Sequence, residues 1–374
     1  MSPRPPKHRR IPLAEAAIAW GRHHVFGRLR QGPFPPKAMH LLATDRCSAR
    51  CVMCGIWKEG QGKREDLAVS DWDRVFADRL FMRIEFAGIS GGEPFLRPDL
   101  PDLLMLLHRH ARRLKRLSIT TSGMVPARME ETLGRLVPYC GDHGLLLDIS
   151  VSIHGLGEVS ERITGVSGAA EKAAKTLEIL KPLRADGDLT LSINAVLLRE
   201  NLDQARDLAA WAEKQKIPIS FVVGERRARF CNQEMTDAFV PDGEREKLLD
   251  FLREMGRPLS LRKLHAMRYR DLVRMMEKGT RRTMPCYYAL GGFVVGHDAE
   301  LYYCSHSRSI GNCRDRSGWG LYNNPANLAY RSQGLFRREC AMCPPYTLTR
   351  WEIEVHAHRV AAELFRERVR RSLA

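Results

Sequence analysis

The chain has 374 residues, and this length predicts a main domain accompanied by a smaller one rather than a single small core. Of these residues 44% are hydrophobic, and the formal net charge is +16. No apolar run approaches the roughly 20 residues of a membrane span, and Glu15 interrupts the short apolar stretch near the N-terminus, which argues against a signal peptide. Ten cysteines do not indicate a disulfide scaffold, because such scaffolds belong to small secreted domains.

Most of the net positive charge comes from two segments. Residues 1–40 hold eight Lys and Arg against one acid, and residues 255–285 hold nine against two. Such segments attract nucleic acid, anionic lipid or acidic substrates, or simply form a solvated helix face. Residues 12–30 predict an amphipathic helix within a basic N-terminal extension, residues 1–38. We expect this helix to pack on the main domain, with peripheral contact to a membrane as the alternative.

The first predicted strand, residues 39–44, leads into three cysteines in the pattern Cys47-x3-Cys51-x2-Cys54. Three thiolates on one loop can hold three irons of a [4Fe–4S] cube and leave the fourth iron open to a small molecule. Pairs of cysteines with two residues between them also occur in zinc sites and redox dithiols, so the spacing alone leaves those alternatives open.

A second motif, Gly91-Gly92-Glu93-Pro94, follows the next apolar segment. The two glycines let backbone approach a ligand closely, and Glu93 offers a carboxylate to an ammonium group. Together the two motifs resemble those of the radical S-adenosylmethionine superfamily. The resemblance implies that the open iron binds the methionine amine and carboxylate, and that the Gly-Gly-Glu-Pro segment receives the amine. It also implies reductive cleavage to a 5′-deoxyadenosyl radical that abstracts hydrogen from substrate.

The middle of the chain alternates apolar strand candidates with helical stretches, which is typical of parallel βαβ units in an α/β fold. The predicted strands are 39–44, 84–89, 116–121, 145–151, 189–197 and 217–223. The pattern resembles the partial (β/α)6 TIM-like barrel of the family, here expected over residues 39–235. Active groups should gather at the C-terminal ends of the strands, as they do in full barrels.

The resemblance assigns cofactor contacts to several of those strand ends. Ser122 stands where the family has an amide or hydroxyl that faces ribose or methionine, and Ser152 falls on a ribose-contact serine. Arg162 matches an arginine that pairs with a carboxylate, and Val196 is expected near adenine. His154 replaces the usual Asp of its motif, so a role carried over from that position is in doubt. A strand-end hydrogen bond is the structural alternative for both serines.

Two candidates for catalysis follow the sixth strand. Glu225 is a candidate base, with surface charge as the alternative. Cys231 is a candidate donor of hydrogen to a substrate radical, although a lone cysteine is more often a small buried hydrophobic residue. Residues 236–285 then form a helical basic linker, with Pro258 between its two predicted helices.

A second set of cysteines occurs as Cys286-x17-Cys304 and Cys340-x2-Cys343. Four thiolates complete either a tetrahedral zinc site or a cube, so spacing leaves the metal open. The stretch ALGGFVVGHDAELYYCS resembles the glycine-and-hairpin segment of radical S-adenosylmethionine proteins with a SPASM or shorter twitch extension. Four cysteines favour the twitch form over residues 286–345, a small C-terminal domain with one auxiliary cluster.

The end of the chain adds two further expectations. Cys313 lies within the twitch-like region and is expected not to be a ligand, because the pattern closes without it. Residues 346–374 are expected to contain a C-terminal helix. His356 and His358 lie two residues apart and so do not share a helix face, which makes a metal pair improbable.

The resemblance implies a radical enzyme with two [4Fe–4S] clusters, one of which binds S-adenosylmethionine. We expect a two-electron oxidation, either dehydrogenation or bond formation, with the auxiliary cluster as electron acceptor and flavodoxin or ferredoxin as reductant. The substrate stays open among a small molecule, a sugar-like metabolite, a lipid and a peptide. Peptide-modifying enzymes often carry a leader-binding domain of ~80 residues, and the 38 residues before the first strand shift the expectation towards a small molecule, a sugar-like metabolite or a lipid, with a leaderless peptide still open.

Two alternatives of different class remain. One is a redox-neutral epimerase in which Cys231 returns hydrogen to the substrate. The other is a zinc-stabilised, basic nucleic-acid-binding protein, but aromatic residues are sparse in its basic segments, so we expect no nucleic-acid partner. An oxygen-labile cluster also favours the reducing cytoplasm.

Overall fold

The computed structural model describes residues 35–59, 66–226, 230–257, 266–283, 286–335, 340, 343–344 and 356–372. The chain forms two compact units. The first contains residues 35–241 and 292–324, and the second contains residues 242–291 and 325–374. The helix expected at 12–30 and Pro258 lie outside the described residues. No helix in the described ranges combines the length and the apolar character needed to cross a bilayer.

The first unit is built on one nine-stranded sheet, in the order β6-β5-β4-β3-β2-β1-β7-β8-β9. Strands β1 to β6 pair in parallel with their neighbours, β7 pairs in parallel with β1, and β8 and β9 continue antiparallel. The strands are β1 Ala38–Thr44, β2 Phe86–Gly91, β3 Arg116–Thr121, β4 Leu146–Ser152, β5 Thr190–Leu197, β6 Ile219–Val223, β7 Phe293–Val295, β8 Glu300–Tyr302 and β9 Ser309–Asn312. The six parallel strands confirm the predicted barrel sheet.

Helices connect strands β1 to β6, as the alternating pattern predicts, and further helices follow β6 and β9. In chain order the connecting helices are α1 Ile56–Glu59, α2 Val69–Phe76, α3 Leu100–His110, α4 Pro126–Asp142, α5 Glu158–Thr164, α6 Ala169–Asp186 and α7 Ala205–Lys214, and the helices that follow are α8 Arg245–Gly256, α9 Ala266–Lys278, α10 Tyr287–Leu290, α11 Gly318–Asn323, α12 Pro325–Ala329 and α13 Ala357–Ser372. Parallel strands need such crossovers, because a tight turn cannot return the chain to the same end of the sheet.

Buried and half-buried side chains alternate along the central strands β3, β4 and β5 of the parallel sheet. In β4, Leu147, Ile149 and Val151 are buried, whereas Ser150 and Ser152 are half-buried. The same alternation of apolar and polar residues runs through β3 and β5. One face therefore supplies the apolar core and the other supplies polar groups, which is the pattern expected of a sheet curved around an inner binding face.

Aromatic packing explains why β7 lies beside β1. Phe293 of β7 contacts Phe81 edge to face, with ring centroids 5.4 Å apart, and Phe81 in turn contacts Phe76 of α2 at 5.3 Å. These rings are fully buried, and aromatic pairs of this kind are worth about 0.5–1.5 kcal/mol beyond the area they bury. The hairpin strands of the predicted twitch-like region thereby continue the barrel sheet.

The second unit contains α8, α9 and α13. Leu248 and Leu252 of α8 and Leu272 of α9 are buried, because apolar residues recur at three and four positions along these helices. The expected C-terminal helix is present as α13. Several basic residues of this region form ion pairs with acids of the same unit; Arg270, for example, lies 2.9 Å from Glu367.

Candidate active site

The first cysteine loop, residues 45–55, leaves the C-terminal end of β1 and is held on two sides by backbone hydrogen bonds. The Arg50 N–H donates to the carbonyl of Thr164, the last residue of α5, at 2.7 Å. On the other side, the Gly55 N–H donates to the carbonyl of Phe230 at 2.6 Å. Segments far apart in sequence therefore fix the backbone that carries the three cysteines.

The three thiols of this loop are partly buried and close together. Burial raises the pKa of Cys47 to about 12, and it raises the pKa values of Cys51 and Cys54 as well. A thiolate at Cys47 or Cys54 would further disfavour ionisation of Cys51. Without a metal these thiols are protonated at neutral pH, so iron must displace their protons when it binds.

The donor set of the loop, three thiols within eight residues, suits an iron–sulfur cube. A cube takes one thiolate on each of three separate irons, whereas a zinc ion needs all its ligands around one centre. Cys47, Cys51 and Cys54 are therefore suited to the cluster that their spacing predicts.

Gly91 and Gly92 bring the end of β2 against the start of the cysteine loop. The Gly92 N–H donates to Thr44 O at 2.8 Å, and the next N–H, of Glu93, donates to Arg46 O at 2.7 Å. A Cβ atom at Gly91 would lie 2.2 Å from Thr44 O, and one at Gly92 would lie 2.1 Å from Arg46 O. The sequence predicts close approach to a ligand, whereas the close neighbour in the structure is the backbone of the chain itself.

Glu93 is fully buried and accepts four hydrogen bonds. Its Oε1 accepts from the Thr121 hydroxyl at 2.8 Å and from the Phe95 N–H at 3.3 Å. Its Oε2 accepts from the Ser122 N–H at 2.7 Å and the Ser122 hydroxyl at 2.5 Å. Burial raises the pKa of this carboxyl, while these donors oppose the shift. Glu93 thus joins β2 to the end of β3, and Pro94 begins the 3-10 turn that this carboxylate caps.

The other predicted cofactor contacts lie at three strand ends or beyond them. Ser122 follows β3 and bonds Glu93, and Ser152 ends β4 on the polar face. Val196 lies on the same face near the end of β5, half-buried. Arg162 lies on α5, where it pairs with Glu200 at 2.5 Å and remains half-exposed. The strand rule therefore gathers the serines and the valine at one edge of the sheet, and Arg162 is engaged by a carboxylate of the chain.

His154 and Asn201 connect the ends of β4 and β5. Nδ1 of buried His154 accepts from the Val196 N–H at 3.1 Å, and burial lowers the pKa of this imidazole to about 4. The Asn201 amide donates to His154 O at 2.6 Å and Val196 O at 2.7 Å, and its oxygen accepts from the Leu198 N–H at 2.8 Å. His154 is therefore neutral and structural. Asn201 was not predicted, because a single buried amide leaves no periodic signal.

Arg97 is a second residue that sequence reasoning missed. Its guanidinium is 1% exposed and donates to Ala43 O at 2.9 Å, Leu67 O at 2.6 Å and Asp99 Oδ1 at 2.7 Å. These bonds fix the end of β1, immediately before the cysteine loop. The only signal in the sequence was an arginine within the apolar stretch FLRPDL. A charged side chain in such a stretch can be buried only if its donors are hydrogen-bonded.

Both predicted catalytic residues beyond β6 lie near segments that carry predicted cluster ligands. The Glu225 carboxylate is 3.8 Å from Nε2 of His306, two residues after Cys304. Cys231 is exposed, has φ of 49°, and its carbonyl would lie 2.2 Å from a Cβ atom at Gly55. The thiol of Cys231 is close enough to Cys54 to disfavour its ionisation.

The second set of cysteines is divided between the two units. In the first unit, Cys304 follows β8, is buried, and its Sγ accepts from the His306 N–H at 3.3 Å. In the second unit, Cys286 immediately precedes α10, and Cys340 and Cys343 are both partly buried. Assignment of these four thiols to one cluster stays a prediction.

Cys313 lies in the first unit, after β9. Its Sγ would be 3.2 Å from a Cβ atom at Gly318, and Asp78 and Glu300 add to the effect of burial, which raises the pKa of this thiol to about 12. Its N–H donates to Ala299 O at 2.9 Å. These contacts are those of a buried, packed thiol, and the expectation that Cys313 is not a ligand stays a prediction.

Sequence comparison identifies relatives of this chain. The family model described as "Radical SAM superfamily" matches residues 41–212. The PqqA peptide cyclase of Xanthomonas euvesicatoria is 33% identical over 328 residues, covering 83% of this chain and 80% of the relative. The PqqA peptide cyclase of Granulibacter bethesdensis is 30% identical over 169 residues, and there the match spans 45% of this chain and only 42% of the relative.

Two solved structures share the fold. anSMEcpe with bound AdoMet and a peptide aligns with a TM-score of 0.57 at 15% identity, covering 89% of this chain and 99% of that one. Streptococcus suis SuiB bound to precursor peptide SuiA aligns with a TM-score of 0.56 at 14% identity, covering 83% and 70%. Three observations support the same family: the cysteine loop, the buried Glu93 and the 33% identity over most of both chains. The chain therefore belongs to the radical S-adenosylmethionine superfamily and is an enzyme of its SPASM/twitch type, which binds S-adenosylmethionine, a [4Fe–4S] cluster and an auxiliary iron–sulfur cluster.

Proposed function

We propose that this enzyme oxidises a peptide by two electrons, forming a new bond or a double bond within it. The observation that carries the proposal is the identity of 33% over 328 residues to an enzyme named for cyclisation of a peptide. Two fold neighbours, SuiB and anSMEcpe, also have peptides in their solved structures. These relatives favour a peptide over the small molecule that the short N-terminal extension suggested.

We assign the three thiols of Cys47, Cys51 and Cys54 to the cluster that binds S-adenosylmethionine. When bound, the cluster and S-adenosylmethionine supply a 5′-deoxyadenosyl radical that abstracts hydrogen from an unactivated C–H bond. Glu93 holds the end of β2 against the loop and presents a carboxylate at the position that the family uses for the amine. Ser122, Ser152 and Val196 line the polar strand ends where the remainder of the cofactor would lie.

We assign the second set, Cys286, Cys304, Cys340 and Cys343, to one auxiliary cluster that accepts the second electron. Four protein thiolates leave that cluster no open iron for substrate, which favours a role in electron transfer. Loss of an electron from a substrate radical also releases a proton, and Glu225 after β6 is the candidate base. Atoms and charge then balance, because the hydrogen atom goes to the 5′-deoxyadenosyl radical, the proton to Glu225 and the electron to the auxiliary cluster.

Anaerobic purification with iron and sulfide counting tests the two assignments together. About eight irons per chain support two cubes, whereas about four remove the auxiliary cluster. A peptide library incubated with enzyme, reductant and S-adenosylmethionine should yield products about 2 Da lighter, corresponding to two lost hydrogens. If Cys304→Ala keeps full turnover with an intact first cluster, the auxiliary cluster is not the electron acceptor.

Epimerisation is retained as a second candidate, because Cys231 is exposed and lies beside the cysteine loop. It predicts no change of mass in ordinary water and one solvent deuterium at the product carbon in D2O. A Cys231→Ala enzyme that still delivers the deuterium would exclude this thiol as the donor.

We further propose a cytoplasmic enzyme reduced by flavodoxin or ferredoxin, since its clusters need a reducing compartment. Membership of the superfamily leaves no support for the zinc-stabilised nucleic-acid-binding alternative.

A further inference from the structure

Residues 230–232, far along the chain from the first cysteines, pack directly on the cysteine loop. The Gly55 N–H donates to Phe230 O at 2.6 Å, and Gly55 has no space for a side chain because Cys231 O occupies it. Cys231 adopts a positive φ of 49°, which is costly for a residue other than glycine and persists only where surrounding structure imposes it. The contact with the loop therefore has a specific geometry.

Asn232 makes the strongest side-chain connection in this contact. It is 1% exposed, and its Nδ2 donates to Met53 O at 2.7 Å and to Glu225 O at 3.0 Å. Met53 lies between Cys51 and Cys54, so one amide group joins the segment with two cluster ligands to the end of β6. Both protons of the amide are used, so its removal would take a donor from two carbonyls at a buried site.

The same end of β6 also contacts the hairpin that carries Cys304. Glu225 Oε2 lies 3.8 Å from His306 Nε2, and the His306 N–H donates to Cys304 Sγ at 3.3 Å. Asn232 bonds the carbonyl of that same Glu225. A continuous series of contacts within the first unit therefore leads from Cys304 to the backbone between Cys51 and Cys54.

We propose that Asn232 is a positioning residue for the first cluster. Its amide fixes the Cys51–Cys54 segment relative to the strand ends that would hold S-adenosylmethionine and connects that segment to the Cys304 hairpin. Binding of S-adenosylmethionine to a cluster held by these cysteines would depend on this placement, because groups beyond the direct ligands orient a metal site and set its potential. The proposal rests on radical S-adenosylmethionine chemistry alone and is independent of the peptide substrate.

Two substitutions and one matched control test the role. Asn232→Asp keeps the shape and removes both donated protons, and Asn232→Ala removes the whole amide. Asn323→Ala is the control, because Asn323 Nδ2 also donates to a backbone carbonyl, Trp319 O at 2.9 Å, on a helix that carries no cluster ligand. Each holoenzyme is reconstituted anaerobically, and its iron content, its affinity for S-adenosylmethionine and its EPR spectrum with and without S-adenosylmethionine are measured.

Both Asn232 variants should retain parental iron and bind S-adenosylmethionine roughly tenfold more weakly, because the two hydrogen bonds that fix the Cys51–Cys54 segment are lost. The EPR change that S-adenosylmethionine induces should be broadened or shifted in both variants and unchanged in Asn323→Ala. The proposal is overturned if either iron-loaded Asn232 variant shows parental affinity and the parental induced spectrum. If Asn232→Ala fails to fold, Asn232→Asp decides the outcome. No substrate is needed, so failure of the peptide proposal does not affect the result.

Discussion

Replacing Gly92 with alanine should separate the end of β2 from the cysteine loop. The new methyl group would lie 2.1 Å from Arg46 O and 2.8 Å from Asp45 O, and both obstacles are backbone. The displacement would stretch the bonds from Gly92 N to Thr44 O, 2.8 Å, and from Glu93 N to Arg46 O, 2.7 Å. Two bonds at about 0.5–1.5 kcal/mol each, and strain of about 1–3 kcal/mol, give a destabilisation of about 2–6 kcal/mol.

Urea unfolding of the iron-free, reduced protein measures this change, and iron content and S-adenosylmethionine affinity are measured after reconstitution. Gly134→Ala is a matched control, because Gly134 is exposed within α4 and a Cβ atom added there would have no neighbour within 4 Å. This control should stabilise the protein by about 0.5–1 kcal/mol, since alanine favours a helix interior. If Gly92→Ala is as stable as the parent and binds iron and S-adenosylmethionine normally, the explanation of the motif by backbone approach is wrong.

Three further substitutions address buried polar groups around the site. Asn201→Ala should lower the free energy of unfolding by about 2–4 kcal/mol and weaken S-adenosylmethionine binding, because the carbonyls at His154 and Val196 lose their donors; unchanged affinity would argue against a role of the β5 end in binding. Burial lowers the pKa of His154 to about 4, so between pH 6.5 and pH 4 this imidazole binds a proton in the unfolded chain but not in the folded one. The stability that is fully present above pH 6.5 is therefore lost as the pH falls from 6.5 to 4. His154→Gln should therefore reduce the pH dependence of unfolding by up to about 3 kcal/mol in that range, and equal curves for both proteins would contradict the buried neutral imidazole. Arg97→Lys should destabilise by about 2–4 kcal/mol in urea unfolding, because one ammonium cannot reach Ala43 O, Leu67 O and Asp99 together; a loss below about 0.5 kcal/mol would show that these bonds are replaced by water.

The strands were predictable because alternation of apolar and polar residues is a local property. The third strand was predicted at 116–121 and found at Arg116–Thr121. The second was predicted at 84–89 and found at Phe86–Gly91, because buried Ile84 continues the apolar pattern before pairing begins. Hydrophobic periodicity reports which face is buried, whereas the ladder of hydrogen bonds decides where a strand starts.

The motifs identified the cofactors, but their neighbours came only from the structure. Glu93 was expected to face an amine, and its four donors include Thr121 at the end of β3 and Ser122 immediately after it. Gly91 and Gly92 were expected to let the backbone approach a ligand, which stays a prediction, and the structure adds that a Cβ atom at either position would meet the backbone of residues 44–46. Residue types and spacing indicate which chemistry is present, whereas the partners of each group depend on which strand ends meet.

The sequence by itself determined the chemistry of this protein: three thiols at one loop, a Gly-Gly-Glu-Pro segment and six strands alternating with helices are all local patterns. Tertiary structure alone decided which distant residues complete the site. Asn232 bonds Met53 across 179 positions, and Arg97 bonds Ala43 across 54. Such contacts follow from how parallel strands align at one edge of the sheet. A single buried amide or guanidinium carries no periodicity that could reveal its partner in advance.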